Sequence, residues 1–297
     1  MAPTLLVMAA GLGTRYGGFK QVDRVGPRGE MLLEYAVFDA RRAGFRRIVF
    51  IIRRELASAF DELTRRLPPD LDVSRVYQDV GQLPAWFVPP ARTRPWGTVH
   101  AVLAARDAIT GSFAAVNADD FYGAAAYRLA IAACDEAARD GTCAVIGLPL
   151  ARTLSENGPV VRGICRITDG WLTRLDEVYG VAPTREGAQG TDADGTRRLT
   201  GHELASMNFW AFAPSVFNLL DERFAAFLRR RSDDESAELP LPEAIGELIQ
   251  AGSIRVRAIE APGPWFGLTH AGDRPHAIAG LRDLHARGEY PDPLWQP

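Results

Sequence analysis

Residues 8–21, Met8-Ala9-Ala10-Gly11-Leu12-Gly13-Thr14-Arg15-Tyr16-Gly17-Gly18-Phe19-Lys20-Gln21, carry an apolar stretch straight into four glycines, a threonine, an arginine and a lysine. Glycine permits unusual dihedrals and close backbone approach, its amides can surround phosphate oxygens, and Arg15 and Lys20 add the opposite charge. Phosphate is the natural ligand of such a loop. Two better-known glycine loops fail on counting. The dinucleotide fingerprint G-x-G-x-x-G needs glycine where Tyr16 stands, and its acidic residue should end the next strand, where Arg53 and Arg54 stand. The P-loop G-x-x-x-x-G-K-[ST], begun at Gly13, reaches Gly18 and then meets Phe19 in place of lysine. A plain glycine-rich connection from strand to helix is the bland alternative; the coincidence of Thr14, Arg15 and Lys20 weighs against it.

Working outward, short apolar runs alternate with helical patterns, as in parallel strands joined by crossover helices. Strands are predicted at 4–9, 47–52, 73–77, 113–117 and 142–148, with helices at 31–43, 55–66, 98–108 and 124–139 between them. The fold class is α/β: a doubly wound, mostly parallel, Rossmann-like sheet followed by a mixed second half. After residue 148 the runs shorten, and the polar stretch 184–198 (TREGAQGTDADGTRR) has too little apolar content to pack, which predicts a mobile loop between hairpin strands. Strands at 206–212 and 254–260 and helices at 215–229, 241–251 and 275–287 complete the pattern. No internal repeat is present, so one domain is expected, with residues 1–150 and 151–297 as its halves.

The 297 residues are 47% hydrophobic and 24% charged with a formal net charge of -3, which suits a chain with a large core and no overall field for polyanions or anionic membranes. Nucleic acid and membrane are therefore excluded as expected partners. Cys134, Cys143 and Cys165 match neither a zinc site nor a redox pair and are expected to be buried, reduced thiols. Gly11, Gly13 and Arg15 interrupt the first apolar run, so it makes a poor secretory signal, and no run approaches the roughly 20 apolar residues of a membrane span. The cytoplasm is the expected compartment. The five histidines show no metal-binding spacing.

The opening segment resembles that of the sugar-phosphate nucleotidyltransferases, whose members begin with a strand, then A-G-x-G-T-R and a later lysine. Here these are Ala10, Gly11, Leu12, Gly13, Thr14, Arg15 and Lys20. The family's P-x-G-T segment resembles Pro95-Trp96-Gly97-Thr98, and its aspartate after a buried strand resembles Asp119 in FAAVNADDFYG. The resemblance covers about the first 125 residues. It implies a magnesium-dependent transfer of a nucleoside monophosphate from a nucleoside triphosphate to a sugar 1-phosphate or related phosphorylated acceptor. It also implies a nucleotide-binding first half (Ala10, Gly11, Gly13, Thr14, Gly97, Thr98) and an acceptor-binding second half.

Such transfer needs charge neutralisation and alignment more than a base, because the attacking phosphate oxygen is already anionic. Arg15 and Lys20 are the candidate catalytic cations. Magnesium takes hard oxygen ligands, usually one or two carboxylates, which suits Asp119 and then Asp120; the alternative for each is a helix cap, a reading more open for Asp120 than for Asp119. In the second half Glu177 is retained, but Val178 stands where members carry a phosphate-gripping lysine, and Gly267 where their W-x-D segment carries a second aspartate. An unusual acceptor is expected, neutralised by a cation such as Arg162, Arg166 or Arg174. Asn208 in SMNFWAF is a candidate acceptor contact, or an amide satisfying local backbone. The rival reading is a non-catalytic nucleotide or nucleotide-sugar sensor. The base, the acceptor and the number of subunits, including a homo-oligomer, stay open.

Overall fold

The computed structural model describes residues 2–11, 20–89, 91–231 and 234–295. Strands β1 (Thr4–Met8), β2 (Arg47–Ile52), β3 (Asp72–Tyr77), β4 (Phe113–Asn117), the short β5 (Asp120–Phe121) and β6 (Cys143–Pro149) alternate with helices α1 (Leu32–Ala43), α2 (Ala57–Arg66), α3 (Thr98–Ala104) and α4 (Ala124–Asp140). The second half adds β7 (Val160–Thr168), β8 (Trp171–Thr184), β9 (Gly187–Asp192), β10 (Gly195–Leu199) and β11 (Leu204–Phe212). It closes with α5 (Val216–Arg230), α6 (Leu241–Gln250), β12 (Val256–Glu260), β13 (Phe266–Gly267) and α7 (Arg274–Ala286).

Eleven strands form one sheet in the order β10-β9-β8-β12-β6-β11-β4-β1-β2-β3, with β7 pairing both β11 and β8. β1, β2, β3 and β4 are parallel neighbours, as are β6 and β12. The sheet is nevertheless mixed across its width, because β11 from the second half inserts antiparallel between β4 and β6. The expectation of a mostly parallel sheet holds for the first-half strands and gives way at this insertion. Each central strand is apolar on both faces. In β1, Leu5 and Val7 pack with α1, α2 and α4, while Leu6 and Met8 pack with α3, α5 and α6. A strand buried on both faces loses the polar alternation of a half-exposed one, which is why TLLVM and RIVFII read as unbroken apolar runs. The three cysteines are free and buried.

The polar stretch 184–198 corrects its prediction as a mobile loop. It forms β9 and β10, joined by two-residue turns on either side: Thr184 pairs with Gly187 and Asp192 with Gly195. Ala188 and Leu199 supply its apolar side, packing with Val160, Ile164, Val178 and Val181 in a cluster of their own. Two inward residues suffice because neighbouring strands bring the rest of that core. No helix among the described residues is long and apolar enough to cross a membrane.

Candidate active site

β1 and β4 leave the sheet side by side. Met8 pairs with Asn117, and the Ala118 amide donates to the Met8 carbonyl at 3.1 Å. Ala10 and Gly11 on one chain and Asp119 and Asp120 on the other are thereby set at the carboxyl edge of parallel strands, where open α/β sheets place their ligands. Gly13, Thr14 and Arg15 lie outside the described residues. The chain is described again at Lys20, in a short helical turn over Lys20–Val22. There Gln21, 3% exposed, donates from Nε2 to the Gly11 carbonyl at 2.7 Å. This bond ties the two ends of the glycine-rich segment together.

Lys20 Nζ forms an ion pair with Asp119 Oδ2, the side chains being 20% and 16% exposed. Asp120 is 5% exposed. Its Oδ2 accepts from Asn117 Nδ2 at 2.8 Å and lies 3.2 Å from the Tyr122 hydroxyl, which donates to the Met207 carbonyl at 2.7 Å. Burial first, and the neighbouring Asp119 charge second, push the Asp120 carboxyl well above the usual carboxylate range; Lys20 and Arg162 pull the other way. Neither aspartate caps the following helix: α4 begins at Ala124 behind Gly123, and Asp120 instead pairs with Gly267 across the β5–β13 ladder. A side chain at Gly267 would collide with the Trp265 ring, and its Cβ would stand 2.7 Å from Asp120 Oδ1. Asp120 thus fills space that glycine leaves open.

Of the three cations expected from the second half, Arg162 is the one whose charge reaches Asp120. Its guanidinium, buried at 6% residue exposure, stacks over Trp265 at 5.4 Å and donates to the Thr153 and Val161 carbonyls. Arg166 and Arg174 pair with Asp176 instead. Asn208 sits at the irregularity between Ser206 and Trp210 in β11 with φ of 58°, next to Met207, whose carbonyl anchors Tyr122. The amide group is locally engaged, since Oδ1 accepts from Trp210 Nε1 at 3.4 Å. Glu177 accepts from the Tyr179 hydroxyl at 2.5 Å, and no hydrogen bond or ion pair among the described residues joins it to Asn208 or the aspartates. Val178 is fully buried in the small β7–β10 core, so that position faces protein.

Gly97 and Thr98 have architectural contacts. With φ of 98°, Gly97 lies against the Leu239 backbone, where a Cβ would collide, and Thr98 Oγ1 accepts from the Leu241 amide at 2.6 Å at the start of α6. The loop before them is held by His100, which sits between the Gln82 carbonyl (2.9 Å) and Gln78 Nε2 (3.4 Å), while Gln78 also donates to the Gly97 carbonyl. The sequence reading assigned no role to Asn117, Tyr122 or Gln21. The one sequence signal for Asn117 is a polar residue ending an otherwise apolar strand just before two acids.

A cavity of about 240 Å³, lined by Ser155, Asn157, Trp265, Phe266, Gly267 and Asp273 among others, abuts the β13 side of this pair. A wider open groove of about 790 Å³ runs along Tyr77, Asp79 and Gln82 opposite Ala104 and Ala108, and none of the predicted site residues lines it. Among the described residues no group of three or more His, Cys, Asp or Glu side chains is placed to hold a metal. The aspartate pair still fits magnesium, which needs only one or two protein carboxylates beside phosphate oxygens.

No protein-family profile matches the sequence, and no curated protein matches it. Solved structures do match. The inositol-1-phosphate CTP transferase from T. maritima superposes with a TM-score of 0.63 at 11% identity, over 95% of this chain and 98% of that one. A UDP-glucose pyrophosphorylase complexed with UDP-glucose gives 0.62 at 18% identity, over 95% and 99%. The UDP-glucose pyrophosphorylase from Acinetobacter baumannii gives 0.60 at 17% identity, over 94% and 93%. The chain therefore shares the mixed α/β fold of these solved structures along nearly its whole length.

Proposed function

We propose that the protein is a nucleotidyltransferase that joins a nucleoside monophosphate, taken from a triphosphate, to a sugar 1-phosphate or similar phosphorylated acceptor and releases pyrophosphate. The observation that carries this reading is the convergence of Lys20, Asp119 and Asp120 at the carboxyl edge of β1 and β4, beside the start of the glycine-rich loop. A cation and two carboxylates there suit a triphosphate with its metal. The fold shared with solved enzymes of this chemistry supports it.

Lys20 and Arg15 neutralise the triphosphate and the charge that spreads over the α-phosphate as the acceptor oxygen attacks, while the loop amides from Ala10 to Thr14 position it. Asp119 and Asp120 would hold magnesium, which when bound supplies charge neutralisation at the phosphates. Gly97 and Thr98 bring the segment before α3 to the base. The acceptor enters from residues 151–297, meeting Asn208 and Glu177, with the buried Arg162 as the cation for its phosphate. Burying a phosphate dianion without a counter-charge is prohibitively costly.

Incubation with magnesium, each nucleoside triphosphate and a panel of sugar and polyol phosphates, followed by pyrophosphate release, tests the reading and names the substrates. Nucleotide binding without pyrophosphate release for any acceptor would replace it with the sensor reading.

A further inference from the structure

The Lys20–Asp119 ion pair has a consequence for how the site fills, given the nucleotidyl-transfer reading on which the inference rests. Both side chains are largely covered, and Asp120 lies in the field of the same ammonium. A carboxylate oxygen bonded to an ammonium is withheld from a metal, and a divalent ion placed beside that ammonium is repelled in a partly dehydrated site. The backbone cannot relieve this by moving away, because Gln21, next in the chain, is buried and bonded to the Gly11 carbonyl. The flexible four-carbon stem of the lysine can. What it needs is an anion to receive it, and the triphosphate of the proposed reaction is that anion.

We propose that Lys20 is the counter-ion of Asp119 in the nucleotide-free protein, holding the place of the divalent metal until a triphosphate draws its ammonium away. Metal and triphosphate then load together, and free metal is turned back. The lysine has two positions with one role in each: on Asp119 it keeps the carboxylates neutralised, and on the phosphates it serves transfer.

The test uses manganese alone, with no nucleotide, titrated into the full-length protein and followed by loss of the free-ion electron paramagnetic resonance signal. Lys20→Met keeps the stem and removes the charge, and should bind manganese at least roughly tenfold more tightly than the wild type, the direction required by removing a cation next to the ion. Adding Asp119→Asn to that variant should abolish the gain, with circular dichroism confirming that both fold. A Lys20→Met protein that binds manganese no more tightly than the wild type overturns the proposal, as does a gain that survives Asp119→Asn. Pyrophosphate release by the wild type tests the parent reading separately. An inactive chain with the manganese pattern intact leaves the counter-ion role standing, whereas an active chain without that pattern leaves transfer standing and removes the counter-ion.

Discussion

Lys20 and Asp120 meet the same site with opposite demands on stability and activity. Replacing Lys20 or Arg15 by alanine should lower turnover by about a hundredfold or more, the scale of removing one preorganised charge from a transition state. Unchanged turnover in a folded variant would remove that residue from catalysis. Asp119→Asn should abolish most turnover and Asp120→Asn less, since Asp120 is already held by Asn117 and partly masked by burial. Asp120→Asn should also make the protein more heat-stable at pH 8. The folded-state carboxyl is raised above its unfolded value, so its contribution is fully present at low pH and is lost as pH rises through the folded value, where burying the charge costs stability. Asparagine never bears that cost. Scanning calorimetry of both proteins at pH 8 checks the sign, and a lower melting temperature for the variant would contradict it.

At the scale of elements, the loop before α3 meets the second half through one residue without a side chain. Gly97→Ala must place a Cβ against the Leu239 backbone at φ of 98°, combining a left-handed penalty of roughly 1–2 kcal/mol with a clash. We expect a loss of about 2 kcal/mol or more in urea unfolding and a raised KM for the nucleoside triphosphate; a loss under about 0.5 kcal/mol, the range of ordinary surface changes, would show the contact to be slack. The Gly97 and Thr98 motif was legible in the sequence, but its attachment to Leu239 and Leu241 was not, because residues some 140 positions apart share no local pattern. The hairpin β9–β10 was misread for a related reason. Composition measures how much apolar surface a segment brings, and here Ala188 and Leu199 complete a core that other strands already supply.

Across the whole molecule, the C-terminal segment is tied to α1 through two buried acids. Tyr290 donates to Asp39 Oδ2 at 2.6 Å, and Trp295 Nε1 donates to Glu34 Oε1 at 3.2 Å. Burial drives the Asp39 carboxyl, 1% exposed, up to about 7, against the hydrogen bond from Tyr290 that lowers it. Because the folded value exceeds the unfolded one near 3.8, the stability that Asp39 contributes is complete below the unfolded value. It falls as pH climbs towards and through about 7. Urea unfolding of the wild type against Asp39→Asn should show a difference that drifts in favour of the variant by about 1.4 kcal/mol for each unit that pH rises between the unfolded value near 3.8 and the folded value of about 7. A flat difference would mean that Asp39 stays ionised throughout.

What the sequence by itself determined is what local chemistry encodes. Unbroken apolar runs marked the central strands, and two aspartates after a buried strand marked the acidic pair that the fold sets at the carboxyl edge of β4, one of them ion-paired with Lys20. Only the tertiary structure decided the insertion of β11 between β4 and β6, the burial of Val178 in a core of its own, and the choice of Arg162 over Arg166 and Arg174 beside the aspartates. It also paired Gly267 with Asp120, so that one position's missing side chain makes room for the other's carboxylate. These are contacts between segments far apart in the chain. They depend on which faces meet after folding, whereas strand, turn and loop chemistry is set by neighbours a few residues away.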